Sequence, residues 1–218
     1  MNHQRLYEYR FRDVDQGERV EVWKEIAAHV HGELGRPARV LDPAAGRGEF
    51  INAVPAEERW AIDEVAYEEG TFEPGVRFLV SDALEAELPE AHFDGVFVSN
   101  FLEHLPTQEA TAAFLESMHR ATAPGGRIAI MGPNFRFCPD EYFDCADHTL
   151  VYTHVSVAEH LYAAGYDVVR VVPRYLPYSF RGRLPPSRRL TRYYLRTPAA
   201  WRILGKQFLV IGERRSAG

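Results

Sequence analysis

Apolar residues recur along this chain in two periods, and these periods predict its helices and strands. Near the N-terminus the apolar positions are spaced by three or four residues: Val20, Trp23, Ala27, Val30 and Leu34. This spacing predicts an amphipathic helix over residues 17–34. Gly35 and Pro37 end the helix, because glycine favours a helix C-terminus and proline cannot continue one.

Short apolar runs bounded by turn residues follow this helix and predict strands. The predicted strands cover residues 39–41, 60–63, 76–80, 93–99, 127–132, 166–172 and 206–212. Helical patterns lie between them at residues 47–54, 107–123 and 156–164, with shorter candidates at 193–195 and 199–204. Strands that alternate with helices indicate an α/β fold with a mostly parallel sheet and right-handed crossovers.

Two local signals set boundaries within this pattern. Pro124-Gly125-Gly126 is expected to break the helix over residues 107–123 before the fifth strand begins. Ser156 and Glu159 have the spacing of a capping box, so Ser156 is expected to cap the next helix. Between these signals, residues 133–154 are rich in aromatic, acidic and histidine residues and follow no regular period. We interpret this segment as an insert at a substrate-binding site, since long irregular segments in compact domains are usually functional.

The composition of the chain limits the classes of protein to which it can belong. The chain has 218 residues, of which 46% are hydrophobic, enough for one substantial core. Apolar runs stay well short of the roughly 20 residues of a membrane span, and the N-terminus has no signal-peptide pattern. Cys138 and Cys145 are too few for a disulfide framework. We expect a cytoplasmic protein with a lid segment and helix at residues 1–37 and a core at residues 38–218.

Charge is distributed unevenly. Residues 170–218 hold 12 basic residues and one acid, a net charge of +11, against −17 for residues 1–169. The basic section starts at about residue 174 and has a cluster of arginines: Arg181, Arg183, Arg188, Arg189, Arg192 and Arg196. A phosphate-bearing or lipid-linked acceptor, a peripheral membrane contact, an oligomer contact and a solvated face are all open interpretations. Overall acidity and the lack of a recognisable RNA-binding module argue against nucleic acid.

Acidic residues end three successive predicted strands. Asp42, Asp63 and Asp82 each stand at such an end, and Ser99–Asn100 end the fourth strand. In open α/β sheets the ligand lies outside the carboxyl ends of the strands, so these residues are expected to form one polar rim. An acid after the second strand suits the two hydroxyls of a ribose, and an acid after the third suits the amino group of a base.

The turn after the first strand limits the chemical class of ligand that can bind there. Gly46 and Gly48 permit a sharp turn whose amides and following helix favour negative charge. Ile51 stands where the dinucleotide fingerprint G-x-G-x-x-G needs a third Gly or Ala, so a pyrophosphate is disfavoured. An acid at Asp42 would repel phosphate but can receive an ammonium group. The rim therefore predicts an adenosine-like ligand with an amino-acid tail.

These residues resemble class I S-adenosylmethionine-dependent methyltransferases of the type 11 and type 12 branch. Val40–Phe50 is similar to motif I, usually D-x-G-x-G-x-G, with Ala44 in place of the first glycine. Trp60–Asp63 resembles motif II, and Ser81-Asp82-Ala83 resembles the adenine-binding segment. Ser99–Leu105 resembles the segment after strand four, which commonly ends in E-H-[LV], and Pro124–Arg127 resembles the start of strand five.

The resemblance implies a Rossmann-like seven-stranded sheet in the order 3-2-1-4-5-7-6, with the last strand antiparallel and helices on both faces. S-adenosylmethionine is the implied cofactor. The implied cofactor residues are Asp42, Ala44, Gly46, Gly48, Asp63, Asp82, Ala83 and Asn100. The open alternatives are an NAD-dependent oxidoreductase, which the incomplete glycine fingerprint opposes, and a non-catalytic cofactor-binding or membrane-associated partner protein.

The acceptor is predicted to be a small molecule or sugar, methylated at oxygen in natural-product or glycan biosynthesis. The candidates for a general base that takes the proton of a hydroxyl acceptor are His104 and the adjacent pair Asp147 and His148. The predicted acceptor contacts are aromatic: Phe135, Phe137, Tyr142 and Tyr178. Tyr7, Tyr9, Arg10 and Phe11 are interpreted as a lid. Cys138, Cys145, His148 and His154 match no compact zinc signature, so no metal is expected.

Overall fold

The computed structural model describes residues 5–6, 9–10, 12, 16–178 and 187–216. Its sheet has the strands β1 Arg39–Asp42, β2 Glu58–Asp63, β3 Val76–Val80, β4 Phe93–Ser99, β5 Thr122–Pro133, β6 Tyr166–Val172 and β7 Gln207–Arg214. The strand order is β3-β2-β1-β4-β5-β7-β6. β7 runs antiparallel to both β5 and β6, and the other neighbours are parallel. The predicted fold class, strand order and antiparallel last strand are confirmed.

Helices cover both faces of this sheet. They are α1 Gln16–Glu33, α2 Glu49–Ala53, α3 Gln108–Ala121, α4 Pro139–Tyr142, α5 His154–Ala163, α6 Arg188–Leu195 and α7 Pro198–Leu204, with a short 3₁₀ helix at Leu102–His104. The alternating side chains of the central strands separate two cores. On β4, Val96 and Val98 join the core under α3 and α5, whereas Phe97 joins the core under α1, α2, α6 and α7.

Two boundary predictions are wrong. Pro124-Gly125-Gly126 lies inside β5 rather than before it, because the helix already ends at Ala121 and Thr122 pairs with Phe93. The register of this pairing shifts between Phe93 and Gly95, and the glycines absorb the irregularity. At Gly126 an added Cβ would lie 2.9 Å from the carbonyl oxygen of Ala123, so only glycine fits.

The cap of α5 also differs from its prediction. The helix begins at His154, and the residue that caps it is Thr153. The capping box is real but shifted: the amide of Ser156 donates to Thr153 Oγ1, and the amide of Thr153 donates to Ser156 Oγ at 2.9 Å. Ser156 is therefore the third residue of the helix instead of its cap. A hydroxyl at both positions makes either register possible from the sequence.

The basic C-terminal section packs on the acidic N-terminal helix. Arg188 and Arg192 of α6 form ion pairs with Glu21 and Glu25 of α1, with the Arg192 Nη2 to Glu25 Oε1 distance at 2.6 Å. These two arginines thus neutralise acids of the same chain. Arg181 and Arg183 of the predicted arginine cluster lie outside the described residues. Among the described helices, none is both long and apolar enough to cross a membrane.

Candidate active site

The carboxyl ends of β1, β2 and β4 meet at one edge of the sheet and form a polar site. We call this site the carboxyl edge; it consists of Asp42, the turn at residues 43–48, Asp63 and Asn100. At its centre a hydrogen bond joins the turn after β1 to the end of β2: the amide of Gly46 donates to Asp63 Oδ2 at 2.8 Å. The amide of Val65 donates to Asp63 Oδ1 at 3.0 Å. Both bonds leave lone pairs on the carboxylate, so Asp63 can still accept two hydroxyl groups.

The turn within the carboxyl edge requires its glycines. Gly46 and Gly48 have φ of +52° and +77°, in the left-handed region that side chains rarely adopt. At Gly48 an added Cβ would also lie 2.9 Å from Asn52 Nδ2 and 3.0 Å from the Phe72 ring. α2 begins directly after Gly48, so its first amides face the edge.

Asp42 is a buried acid with little compensation for its charge. It is 3% exposed, and the amide of Ala44 donates a long hydrogen bond to its Oδ1, at 3.4 Å. Burial raises the pKa of Asp42 well above its ordinary value, and the nearby carboxylates of Glu49 and Asp63 add to the effect. A bound ammonium group would supply the missing positive charge.

Asn100 ends β4 in the left-handed region, with φ of +48°. Asparagine tolerates this conformation better than most residues. Its amide donates to the carbonyl oxygen of Met131 at 2.8 Å, which fixes the turn into the 3₁₀ helix. The predicted adenine contacts lie elsewhere: Asp82 is exposed and binds the amide of Leu84, and Ala83 is buried in the core. Neither lines the cavity described next.

One cavity connects the carboxyl edge with a second polar surface. Its walls include Asp42, Ala44 and Asn100. The lining also includes a second group, which we call the histidine wall, formed by Glu103, His104, Cys145, His148 and Tyr178. Arg10, Arg19, Trp23 and Tyr67 are among the other residues that line the cavity. Two of the predicted catalytic residues, His104 and His148, therefore face the same space as the carboxyl edge.

The third predicted catalytic residue, Asp147, lies behind this wall. It is 6% exposed, pairs with Arg10, and lies with Oδ2 3.4 Å from His104 Nδ1. Burial raises the pKa of Asp147, but His104 and Arg10 outweigh burial and hold the pKa below its ordinary value. Asp147 thus orients His104, although its sequence neighbour is His148.

Backbone hydrogen bonds hold the insert against the 3₁₀ helix. The amides of Thr149 and Leu150 both donate to the carbonyl oxygen of Glu103, at 2.8 and 3.1 Å. The hydroxyl of Thr149 donates to the carbonyl of Leu105. These bonds place His148 beside His104, with ring centroids 4.9 Å apart.

Glu103 is the wall residue that sequence reasoning missed. It is 2% exposed, and its Oε1 has no hydrogen-bond partner in the described part of the chain. Burial raises the pKa of Glu103, while the neighbouring His104 lowers it. A sequence signal was available, since Glu103 directly precedes His104 in the E-H-L segment, but glutamate next to an apolar turn usually faces solvent.

Among the predicted acceptor contacts, Tyr178 alone lines the cavity. Tyr142 is fully buried, and its hydroxyl donates to the carbonyl of Leu150 at 2.8 Å. The ring of Phe135 packs edge-on against Tyr142, so these two side chains pack against each other within the insert. Phe137 stacks near His154 and under the Arg174 guanidinium, beside a different surface depression.

The structure also places the other residues considered for metal binding and for a lid. Cys138 bonds the carbonyl of Asn134, and His154 Nδ1 lies 2.9 Å from Asn134 Nδ2, so neither reaches the histidine wall. Of the four lid residues, Arg10 lines the cavity and Tyr9 is exposed under the Arg12 guanidinium. Tyr7 and Phe11 lie outside the described residues.

Comparisons with known proteins give one family profile and many similar folds. Residues 35–130 match the family profile described as a methyltransferase domain. No curated protein matches the sequence significantly. Many solved structures share the fold.

Three solved structures illustrate the similarity. A 1,6-didemethyltoxoflavin-N1-methyltransferase from Burkholderia thailandensis, with its substrate and S-adenosylhomocysteine bound, is 24% identical. The match covers 90% of this chain and 80% of that chain, with a TM-score of 0.61. A SAM-dependent methyltransferase from Archaeoglobus fulgidus is 19% identical, with coverage of 98% and 100% and a TM-score of 0.68. The N-methyltransferase NodS from Bradyrhizobium japonicum, in complex with S-adenosylhomocysteine, is 16% identical, with coverage of 85% and 85% and a TM-score of 0.59.

The fold, the glycine turn and the family match agree with one another. Residues 35–130 match a methyltransferase domain, and the strand order is that of the Rossmann-like fold of S-adenosylmethionine-dependent methyltransferases. The carboxyl edge fits this cofactor, since no positively charged group among the described residues compensates Asp42, and an added Cβ at Gly46 would meet only Glu49 Oε2, at 3.9 Å. The predicted cofactor and enzyme class are confirmed.

Proposed function

We propose that this enzyme methylates a hydroxyl oxygen of a small-molecule or sugar-like acceptor, as in natural-product or glycan biosynthesis. The observation that carries the proposal is the single cavity that joins the carboxyl edge to the histidine wall. S-adenosylmethionine supplies an electrophilic methyl group when it is bound. An acceptor in this cavity lies between that methyl group and polar side chains that can orient its oxygen.

The carboxyl edge provides the cofactor contacts in this proposal. Asp42 receives the ammonium group, because this is the acid with an unmet need for positive charge. Asp63 accepts the ribose hydroxyls while it keeps its bond to Gly46. Asp82 and Ala83 contact the adenine in this proposal, although neither residue lines the cavity.

The histidine wall provides the acceptor contacts. His104, His148 and Tyr178 face the space in front of the carboxyl edge, and Asp147 holds the ring of His104. Bound S-adenosylmethionine would supply the methyl carbon, and the acceptor oxygen would bond to it as the sulfur–carbon bond breaks. The bonding pair would return to sulfur, and the hydroxyl proton would pass to solvent at the cavity mouth. The toxoflavin methyltransferase, which is similar in fold, has a small molecule bound, and this supports the size class of the acceptor.

A phosphate-bearing or lipid-linked acceptor and a membrane contact stay predictions. Both depend on cationic side chains of the basic section. Arg188 and Arg192 already pair with Glu21 and Glu25, so they offer less charge to an external anion. Arg189 and Arg196 are the described members of the cluster for which no ion pair is found within the described chain.

Calorimetry and product analysis test the proposed function. The protein is titrated with S-adenosylmethionine, S-adenosylhomocysteine and NAD, and saturable binding of the first two alone is expected. It is then incubated with methyl-labelled cofactor and panels of hydroxylated small molecules and sugars, and mass spectrometry locates the label. An O-methyl product supports the proposal, whereas an N-methyl product contradicts the choice of oxygen. Failure to bind either sulfur compound contradicts the function as a whole.

A further inference from the structure

Three side chains of the histidine wall present ligand atoms to one point. The ligand atoms of Glu103, His104 and His148 lie within 4.8 Å of one another. A second triad, Cys145, Asp147 and His148, shares His148 and meets the same distance limit. Asp147 already pairs with Arg10 and His104, so the first triad has the more available ligands.

Unpaired buried atoms distinguish this triad from an ordinary hydrogen-bond network. Glu103 Oε1 and His148 Nδ1 are both buried and lack a hydrogen-bond partner within the described residues. Leaving such atoms unpaired costs roughly 1–3 kcal/mol each, and more for a charged group. Two uncompensated atoms in one small site indicate that a ligand completes it.

The tautomer of His104 fits a ligand role. Its Nδ1 lies 3.0 Å from the carbonyl oxygen of Asp147, and a carbonyl can only accept. Nδ1 therefore carries the hydrogen, which leaves Nε2 as the ring atom that would bind a ligand. Histidines that bind metals usually donate their other ring N–H to a carbonyl or carboxylate, which fixes the ring. Asp147 offers His104 both kinds of oxygen.

The carboxyl groups around the triad also suit a cation. Glu103 contributes one carboxyl group to the site, whereas the carboxyl group of Asp147 beside it already pairs with Arg10. The backbone bonds from Thr149 and Leu150 to Glu103 hold the two halves of the triad together before any ion binds.

We propose that Glu103, His104 and His148 bind a divalent transition-metal ion in the wall of the cavity. Two imidazole nitrogens and one carboxylate favour Zn²⁺, Mn²⁺, Fe²⁺ or Co²⁺ over Mg²⁺, which prefers oxygen ligands. Ligand atoms that lie within 4.8 Å of one another can reach one ion at metal–ligand distances of about 2.1 Å after small side-chain adjustments. Three protein ligands leave open positions for an external oxygen.

The role of this ion in catalysis rests on the proposed function. An acceptor hydroxyl bound to the ion loses its proton more readily, because the cation stabilises the alkoxide. The proton passes to solvent at the cavity mouth, and the alkoxide oxygen then bonds to the methyl carbon as sulfur takes back the bonding pair. His104 and His148 then act as metal ligands and do not carry the proton themselves.

Cobalt binding tests the site independently of methyl transfer. The full chain, treated with chelator, is titrated with Co²⁺, whose visible absorption reports ligand number and type. We expect saturable one-to-one binding that Zn²⁺ displaces and Mg²⁺ does not. E103Q and H148Q should weaken it by more than about 100-fold, because even loss of an outer hydrogen-bond partner costs 10- to 100-fold. H160Q is the matched control, since His160 lies on α5 outside the cavity wall.

Several outcomes overturn the metal site. They are no saturable Co²⁺ binding by the unaltered protein, equal binding of Mg²⁺, or an equal loss in H160Q. S-adenosylhomocysteine binding checks that each variant is folded. If a variant does not fold, pulsed electron paramagnetic resonance of the unaltered protein with Mn²⁺ must show coupled imidazole nitrogens, and their absence rejects the site. Cofactor binding and methylation that persist without metal reject this inference and leave the proposed function intact.

Discussion

The carboxyl edge and the histidine wall face one cavity but are built in opposite ways. At the carboxyl edge, backbone amides of Gly46 and Val65 satisfy the carboxylate of Asp63, and the residues come from strand ends close in the fold. At the histidine wall, Glu103 and His148 meet across about 45 residues of chain and leave polar atoms unpaired. The first site is a property of the fold, whereas the second depends on how one insert docks. Variation of the insert can therefore change the acceptor without disturbing the cofactor.

The largest expected effect follows from replacing Asp63, which should weaken cofactor binding at the carboxyl edge and leave the histidine wall unchanged. D63A removes a charged acceptor from the ribose and the partner of the Gly46 amide. We expect cofactor affinity to fall by about 2 kcal/mol, roughly 30-fold. Calorimetry with S-adenosylhomocysteine measures this loss, while Co²⁺ binding at the histidine wall should stay unchanged. A variant that binds the cofactor normally would show that the ribose has another partner.

A smaller effect is expected at Glu103, where a substitution should raise the stability of the protein. E103L removes a buried oxygen that lacks a partner, and replacing such a group with an apolar side chain is often neutral or stabilising. We expect the free energy of unfolding of the metal-free protein to rise by about 1 kcal/mol, while methylation is lost.

Denaturant unfolding in the presence of chelator measures the change at Glu103. E116Q is a control, because Glu116 is exposed on α3, far along the chain from the insert. A loss of stability in E103L would mean that Glu103 stabilises the fold, and the contrast between the two sites would fail.

The smallest effect lies outside both sites, where α6 packs on α1. Hydrogen bonds from Arg192 and then Arg188 lower the pKa of Glu25 to about 2. The unfolded chain has a pKa of about 4.3 for glutamate, so this contribution is complete above that pH and is lost as the pH falls toward 2. Because the arginines are nearly half exposed, solvent screening limits it to below about 1 kcal/mol.

E25Q tests this contact without touching the cavity. Its unfolding free energy should lie below that of the unaltered protein at neutral pH, and the two should converge near pH 2. Denaturant midpoints across this pH range provide the comparison. If the two plots of stability against pH stay parallel, the ion pairs contribute nothing that depends on charge. Cofactor affinity should be equal in both proteins at every pH.

The sequence predicts the carboxyl edge better than the histidine wall for a physical reason. Asp42 and Asp63 directly follow strands that hydrophobic periodicity locates, and parallel strands bring their carboxyl ends together. Glu103 and His148 are brought together by amides of the insert that donate to a backbone carbonyl, and such bonds leave no pattern in the side chains. The same limit explains why Tyr142 was predicted at the cavity surface but is fully buried.

Boundaries were missed where two local preferences compete. Thr153 and Ser156 can each cap α5, and only the packing of His154 in the core decides between them. Pro124-Gly125-Gly126 has the composition of a loop, yet the sheet holds it because Thr122 is already paired with Phe93. Tertiary contacts decide both cases, and a local pattern does not contain them.

The position of β7 has a consequence for synthesis on the ribosome. β7 follows β6 in the chain but lies between β5 and β6 in the sheet, and β6 is paired with β7. A nascent chain that has emerged only as far as β6 therefore holds an unpaired edge strand, which is exposed to aggregation. By contrast, the strands that carry the carboxyl edge are all present once Pro133 has emerged.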